Sequence, residues 1–275
     1  MFLSRRPRVR DVLSGVHRLE GDDPFDLDWR PERVAVVAAW SARPRLSRSL
    51  CRLVEELRAA EFDVVLVSAC EDERPLDWPT TRPDRVRVVR KDNIGYDFGS
   101  WSLALQLHPR IAQADYVLFA NDSMVGPFRS LEPLLGQFIA THADVWGLTD
   151  SAQFGRHLQS YFMGYRHGVL TAPVLARFWA GLRIEPSKDD LIQRAEVGLS
   201  RILQREGYAM KAAFPYQRIA PDGENPTIRQ WERLLDRGFP FVKREVIRSP
   251  EVAAEGDRAP EVILNRFGER VEEWL

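Results

Sequence analysis

Cysteine is scarce in this 275-residue chain: Cys51 and Cys70 are the only two, in neither a C-x-x-C pair nor a zinc spacing. That excludes a disulfide framework and a cysteine-built metal site, and isolated thiols fit a reducing cytoplasm. A charge surplus is also missing. Lys and Arg number 39 against 40 Asp and Glu, a formal net charge of -1, so nothing electrostatic points to a nucleic-acid partner. No apolar run is long enough to span a bilayer. The opening MFLSRRPRVRDVLSGVHRLE clusters arginines but lacks the apolar stretch of about 7 to 15 residues that marks a signal peptide. The expectation is a cytoplasmic protein. Its basic start is a solvated tail or touches anionic headgroups at the inner face of the plasma membrane. Neither G-x-G-x-x-G nor G-x-x-x-x-G-K-[ST] occurs, which removes the main support for a dinucleotide-dependent dehydrogenase or a P-loop NTPase. Internal repeats and flexible linkers are absent too.

What is present is the composition of a globular protein, 44% hydrophobic and 29% charged. RVAVVAAW (33–40), FDVVLVSA (62–69), RVRVVR (85–90) and DYVLFAND (115–122) read as strands buried on both faces. Helical patterns separate them. One is SRSLCRLVEELRAAEF, with Leu50, Leu53, Val54 and Leu57 on a stripe and Ser47 or Ser49 placed to cap it; another starts near Phe98. Strand and helix alternate, so the fold class expected is α/β with a mostly parallel central sheet flanked by helices. Later helices are APVLARFWAGL and DDLIQRAEVGLSRILQREG, the second with Gly207 at its C-cap. The chain divides into an N-terminal basic extension (1–32), one domain (33–250) and a charged tail (251–275) taken as peripheral.

Ligands of open α/β sheets bind at the carboxyl ends of strands, which directs attention to KDNIGYDFGSW after the third strand and NDSMVGPF after the fourth. Asn93 and Gly95 fit a tight turn. Asp97 precedes Phe98, Trp101 and Leu105 at helical spacing, so it caps that helix or lies where a nucleotide would sit. Trp101 is read as core. Asn121, Asp122 and Ser123 form a polar turn, or Asp122 offers a hard oxygen ligand to Mg²⁺ or Mn²⁺, which in turn holds a diphosphate.

RKDNIGYDFGSW, NDSMVGPF, DVWGLTDS, HLQSYFMGY and NPTIRQWERLLDRGFPFVK, in this order, resemble the rhamnan synthesis protein F family of bacterial glycosyltransferases that assemble surface polysaccharides. The resemblance runs from about residue 33 to about residue 245. It implies a GT-A-like nucleotide-sugar fold with NDS in the place of the D-x-D metal motif, Asn121 replacing the first Asp. Arg90, Lys91, Asn93, Gly95, Tyr96, Asp97, Asn121, Asp122 and Ser123 are then expected on the donor, with Asp122 on a divalent cation. The second half is similar to inverting GT-A enzymes with an E-D-x-D-L-x-x-R motif: Glu196 matches its acidic residue, Leu199 its Leu and Gly207 its closing glycine, while Arg201 falls near its Arg and Val197 replaces the second acid. On that alignment Glu196 is the base, with a pKa raised by partial burial. Asp150 is the rival base or an acceptor ligand, and His157 and Gln159 meet the acceptor. The partners implied are a nucleotide-sugar donor, such as dTDP-rhamnose or another deoxysugar donor, and a glycan or lipid-linked glycan acceptor.

Two other classes remain open on the sequence. A nucleotidyltransferase shares the α/β plan but wants a glycine-rich basic loop near the first strand, where VVAAWSARPRL supplies only arginines. A non-catalytic relative that binds a glycan or a partner enzyme is the other.

Overall fold

The computed structural model describes residues 6–25, 28–221, 223–253 and 255–275. Helix α1 (Val9–Leu13) and strand β1 (His17–Glu20) precede the first buried strand, β2 (Arg33–Trp40), which has the bounds its β-branched run predicts. Helix α2 (Arg48–Ala59) is capped by Ser47, whose Oγ accepts the Leu50 N–H at 3.3 Å. Strands β3 (Asp63–Ala69) and β4 (Val86–Lys91) follow, then α3 (Tyr96–Leu107), β5 (Tyr116–Asn121), β6 (Met124–Val125) and α4 (Glu132–Ala140). Next come β7 (Val145–Ser151), β8 (His157–Leu158), β9 (Phe162–Arg166) and α5 (Pro173–Gly181). The long predicted helix is broken into α6 (Lys188–Leu191), a π-helical turn (Ile192–Glu196) and α7 (Val197–Arg205). Strand β10 (Met210–Phe214), α8 (Pro226–Arg229), α9 (Trp231–Asp236), β11 (Val242–Lys243), α10 (Arg244–Arg248) and α11 (Ala259–Phe267) complete the chain.

The large sheet runs β1-β4-β3-β2-β5-β9-β7-β10. Strands β4, β3, β2 and β5 pair in parallel, as do β7 and β10, while β1 and β9 are antiparallel to their neighbours. Side chains alternate across it. Val34, Val36 and Ala38 enter one core with α1, α3, α5 and α7; Ala35, Val37 and Ala39 enter the other with α2, α4 and α9. Helices therefore cover both faces, and all carboxyl ends of the parallel strands open on one edge.

Both flanks of the chain join this body. Of the basic start, residues 1–5 lie outside the described residues. Beyond them Arg6 pairs with Glu185, Val9 and Leu13 are buried under α3, and β1 pairs with β4. The segment read as a peripheral tail is a correction. Ala259, Val262, Ile263, Val271 and Trp274 are buried with Val125, Trp231, Leu235, Val242 and Val246 in a third cluster. Its surface charges hide an apolar side that the weak periodicity does not advertise. Among the described residues no helix is long and apolar enough to cross a membrane.

Candidate active site

The loop from β4 to α3 is shaped by two glycines. Gly95 is left-handed, with φ of 76°, and a Cβ there would stand 3.1 Å from Gly99 Cα and from Val9. Gly99 lets the Ile94 carbonyl approach where a Cβ would meet it at 2.6 Å. Lys91, buried at the end of β4, ties the loop by donating to the carbonyls of Asp92 (2.9 Å) and Ile94 (3.0 Å). Burial pushes its pKa down to about 8. Helix α3 starts at Tyr96 with Gly95 as N-cap, so the expected cap by Asp97 is corrected: Asp97 sits in the first turn and caps nothing. Asn93 is exposed on the loop.

The Asp97 carboxylate turns to β5 and accepts a short hydrogen bond from the Asn121 amide. Asn121 Oδ1 accepts from Ser123 N (3.1 Å) and Oγ (2.6 Å), while Asp122 Oδ2 accepts from the backbone N–H of Trp40 at 3.1 Å. Burial and the charge of Asp122 push the Asp97 pKa up to about 6, against the Asn121 hydrogen bond and Lys188 and Lys91. Asp122 is raised too, chiefly by burial, against the Trp40 N–H and the charges of Arg244 and Arg248. This geometry explains the departure from D-x-D: an Asp at 121 would add a third carboxylate, whereas the amide donates to Asp97 and accepts from Ser123. Two exposed rings flank the network, Trp40 (49% exposed) at the end of β2 and Tyr96 (41%) at the start of α3.

A second cluster gathers around the end of the π-helical turn. The π-helical turn ends at Glu196, and such turns recur at functional sites because they re-aim one side chain within a helix. Glu196 Oε1 lies 3.0 Å from His157 Nε2, and Oε2 accepts from Ser160 N (3.2 Å) and Ser160 Oγ. His157 Nδ1 donates to the Gly155 carbonyl at 2.7 Å, leaving Nε2 for the carboxylate. The raised pKa expected for Glu196 is corrected. Burial pushes it up, but the hydrogen bond and charge of His157, with Ser160 and Lys243, outweigh this and bring it below the usual carboxylate value. His157 moves the opposite way: burial lowers it, and Glu196, Gly155 and Asp150 together raise it above its ordinary value.

Asp150 flanks the other side of His157, in a cavity of about 190 Å³ lined also by Arg156 and Tyr208. Its carboxylate accepts the Tyr216 N–H at 2.7 Å, and burial raises its pKa. Two expected ligands are engaged inside the fold. Arg90, 2% exposed, donates to Glu20 and to the carbonyls of Asp72 and Arg74, and Gln159 bridges Thr149 and Asn225.

Lys243 relates the two clusters. Burial lowers its pKa, Glu245, Glu196 and Asp97 pull it up, and Lys188 pushes it down, so its charge is felt by a carboxylate of each cluster. With Trp40, Ser160, Lys188, Arg244 and Arg248, it is what the sequence reading missed; the signal within reach was VKR, a basic pair directly after an apolar run. Against a divalent cation, this set fits poorly. Asp97 and Asp122 each already accept a hydrogen bond, five cationic side chains (Lys91, Lys188, Lys243, Arg244 and Arg248) act on one or the other, and among the described residues no group of three or more His, Cys, Asp and Glu could hold a metal.

A family model described as Rhamnan synthesis protein F matches residues 84–270. Virulence protein VirA of Vibrio anguillarum is 28% identical over 192 residues, covering 58% of this chain and 62% of that protein. An uncharacterized protein of Sinorhizobium fredii, y4gN, is 25% identical over 224 residues, covering 79% of this chain and 56% of its own length. The chain thus spans 62% and 56% of the lengths of these two relatives. The family match begins at residue 84, so the earliest part of the resemblance that runs from about 33 to about 245 lies outside it, and it continues past that end to residue 270.

Proposed function

The chain belongs to the rhamnan synthesis protein F family, and on that premise we propose that it is a GT-A-like glycosyltransferase of polysaccharide synthesis. It moves a sugar from a nucleoside-diphosphate donor to a glycan or lipid-linked glycan, and the family's name favours rhamnose or another deoxysugar on dTDP. One observation carries the reading: the Asp97–Asn121–Ser123 network and the His157–Glu196–Ser160 cluster lie at the carboxyl edge of a mostly parallel sheet, with the charge of Lys243 acting on Asp97 and Glu196 alike.

In the reaction, an acceptor hydroxyl attacks the anomeric carbon. The new C–O bond forms as the bond from that carbon to the diphosphate oxygen breaks, the configuration inverts, and the hydroxyl proton passes to Glu196. The base needs to be ionised when attack begins, because the hydroxyl becomes acidic as its oxygen bonds to carbon. The depressed pKa keeps Glu196 ionised at neutral pH, at a cost in its strength as a proton acceptor. Asp97, Asn121 and Ser123 offer hydrogen-bonding groups to the donor, and Trp40 and Tyr96 offer rings on which a base can stack.

The test is calorimetric titration with dTDP, UDP and GDP, followed by incubation of the matching nucleotide-sugar with a polysaccharide acceptor. Saturable binding of one nucleotide and acceptor-dependent release of the diphosphate support the reading. Binding of none sinks it. Binding without release would make the protein a glycan-binding relative without turnover.

A further inference from the structure

The leaving diphosphate must be neutralised by a metal ion or by protein cations. Arg90 and Lys91, the cations nearest in sequence, are committed to backbone carbonyls and to Glu20. Others converge on the site from the C-terminal third. Strand β11 pairs antiparallel with β6, with Lys243 opposite Met124, which lays the segment 242–244 along the chain just after Asp122. Arg244 N donates to the Ser123 carbonyl (2.8 Å) and its Nε to the Asp122 carbonyl (3.1 Å). Arg248 adds its charge beside Asp122 and Arg244. Lys188, exposed as the first residue of α6 behind the Ser187 cap, whose Oγ accepts the Asp190 N–H at 3.1 Å, adds its charge to Asp97.

Neither Lys243 nor Lys188 has a hydrogen-bond or ion-pair partner among the described residues, although both stand within electrostatic reach of Asp97 and of each other. Lys188 is exposed at the start of α6 and Lys243 is half-buried beside the chain that follows Asp122, so an anion that reaches both meets two ammonium groups with no partner to displace. Resting on the donor-site reading above, we propose that Lys243 and Lys188 clamp the donor's diphosphate, with Arg244 and Arg248 behind them, and that donor binding requires no divalent cation. Asp97 and Asp122 then accept hydrogen bonds from sugar or ribose hydroxyls in place of holding a metal.

The experiment is the nucleotide titration in two arms, one with EDTA and one with Mn²⁺, repeated on Lys243→Ala, Lys243→Arg and Lys188→Ala, with circular dichroism to confirm that each variant is folded. The expected result is equal affinity in both arms for the wild type. Affinity falls about tenfold or more in each alanine variant and recovers in Lys243→Arg, as loss and return of a charge-assisted contact require. Binding only in the Mn²⁺ arm overturns the clamp and leaves the donor site standing, as do folded alanine variants with undiminished affinity. Binding of no nucleotide in either arm overturns both.

Discussion

Glu196 is held ionised by its neighbours, and this sets what its replacement does. Glu196→Gln keeps the size and the contact to Ser160 but removes the charge facing His157. Transfer should fall by roughly 10²- to 10⁴-fold, the usual worth of a general base, with nucleotide affinity nearly unchanged. Rate and calorimetry together check this; unchanged turnover removes Glu196 from the mechanism. The same variant has a pH signature. With a depressed folded pKa, Glu196 contributes stability above its ordinary value of 4.5, lost as pH falls; with a raised one, His157 contributes below its ordinary 6.5, lost as pH rises through the folded value. The pair is fully stabilising between those two ordinary values. Denaturant unfolding should show that plateau in the wild type and a flatter profile in Glu196→Gln. Sequence reading reached Glu196 through its motif but assigned the wrong direction of shift. His157 and Ser160 lie about 40 residues away in the chain, and no local pattern tells how they meet it.

At the scale of elements, the legible parts were those whose cause is local. The apolar β-branched runs gave β2 to β5 within a residue or so, Leu50, Leu53, Val54 and Leu57 marked α2, and Gly207, left-handed with φ of 81°, ends α7 as expected. Less legible was the π-helical turn, because Leu191, Ala195 and Leu199 keep a helical stripe through it while one extra residue is absorbed. Insertion of β9 between β5 and β7 is also a matter of long-range pairing. In the β4–α3 loop the two glycines have distinct reasons, so the loop is testable. Gly99→Ala puts a methyl 2.6 Å from the Ile94 carbonyl, a backbone atom that moves only with the loop itself. The expected cost is ~1–3 kcal/mol of stability. Nucleotide affinity should weaken as well, because the Asp97 bond to Asn121 depends on where α3 begins. Thermal unfolding and the same titration measure the two; wild-type values in both would show the close approach to be incidental.

Across the whole molecule, the third apolar cluster joins the chain's last residues to the site. Trp274, 3% exposed, packs on Phe128 and lies under the Arg48 guanidinium at 4.4 Å. Its carbonyl accepts Ser49 Oγ at 2.7 Å, and that Oγ in turn accepts the N–H of Gly126 at 3.3 Å, in the segment following Asp122. Val242 and Val246, which bracket Lys243 and Arg244, belong to the same cluster. The far end of the chain therefore braces the strand that presents the cations. Trp274→Ala removes a large buried ring, with an expected loss of ~3–5 kcal/mol and a fall in Tm of roughly 10 °C. If the cluster positions β11, nucleotide affinity should fall too, at a temperature where the variant is still folded. Arg48→Ala removes the half-exposed partner of the ring together with its surface ion pairs to Glu269 and Glu273, and should lower Tm by far less. Calorimetric titration of both variants below their unfolding transitions separates the alternatives. A destabilised Trp274→Ala that binds nucleotide as the wild type does would mean that β11 is held by its pairing with β6 alone, and that the terminal segment stabilises the fold without shaping the site.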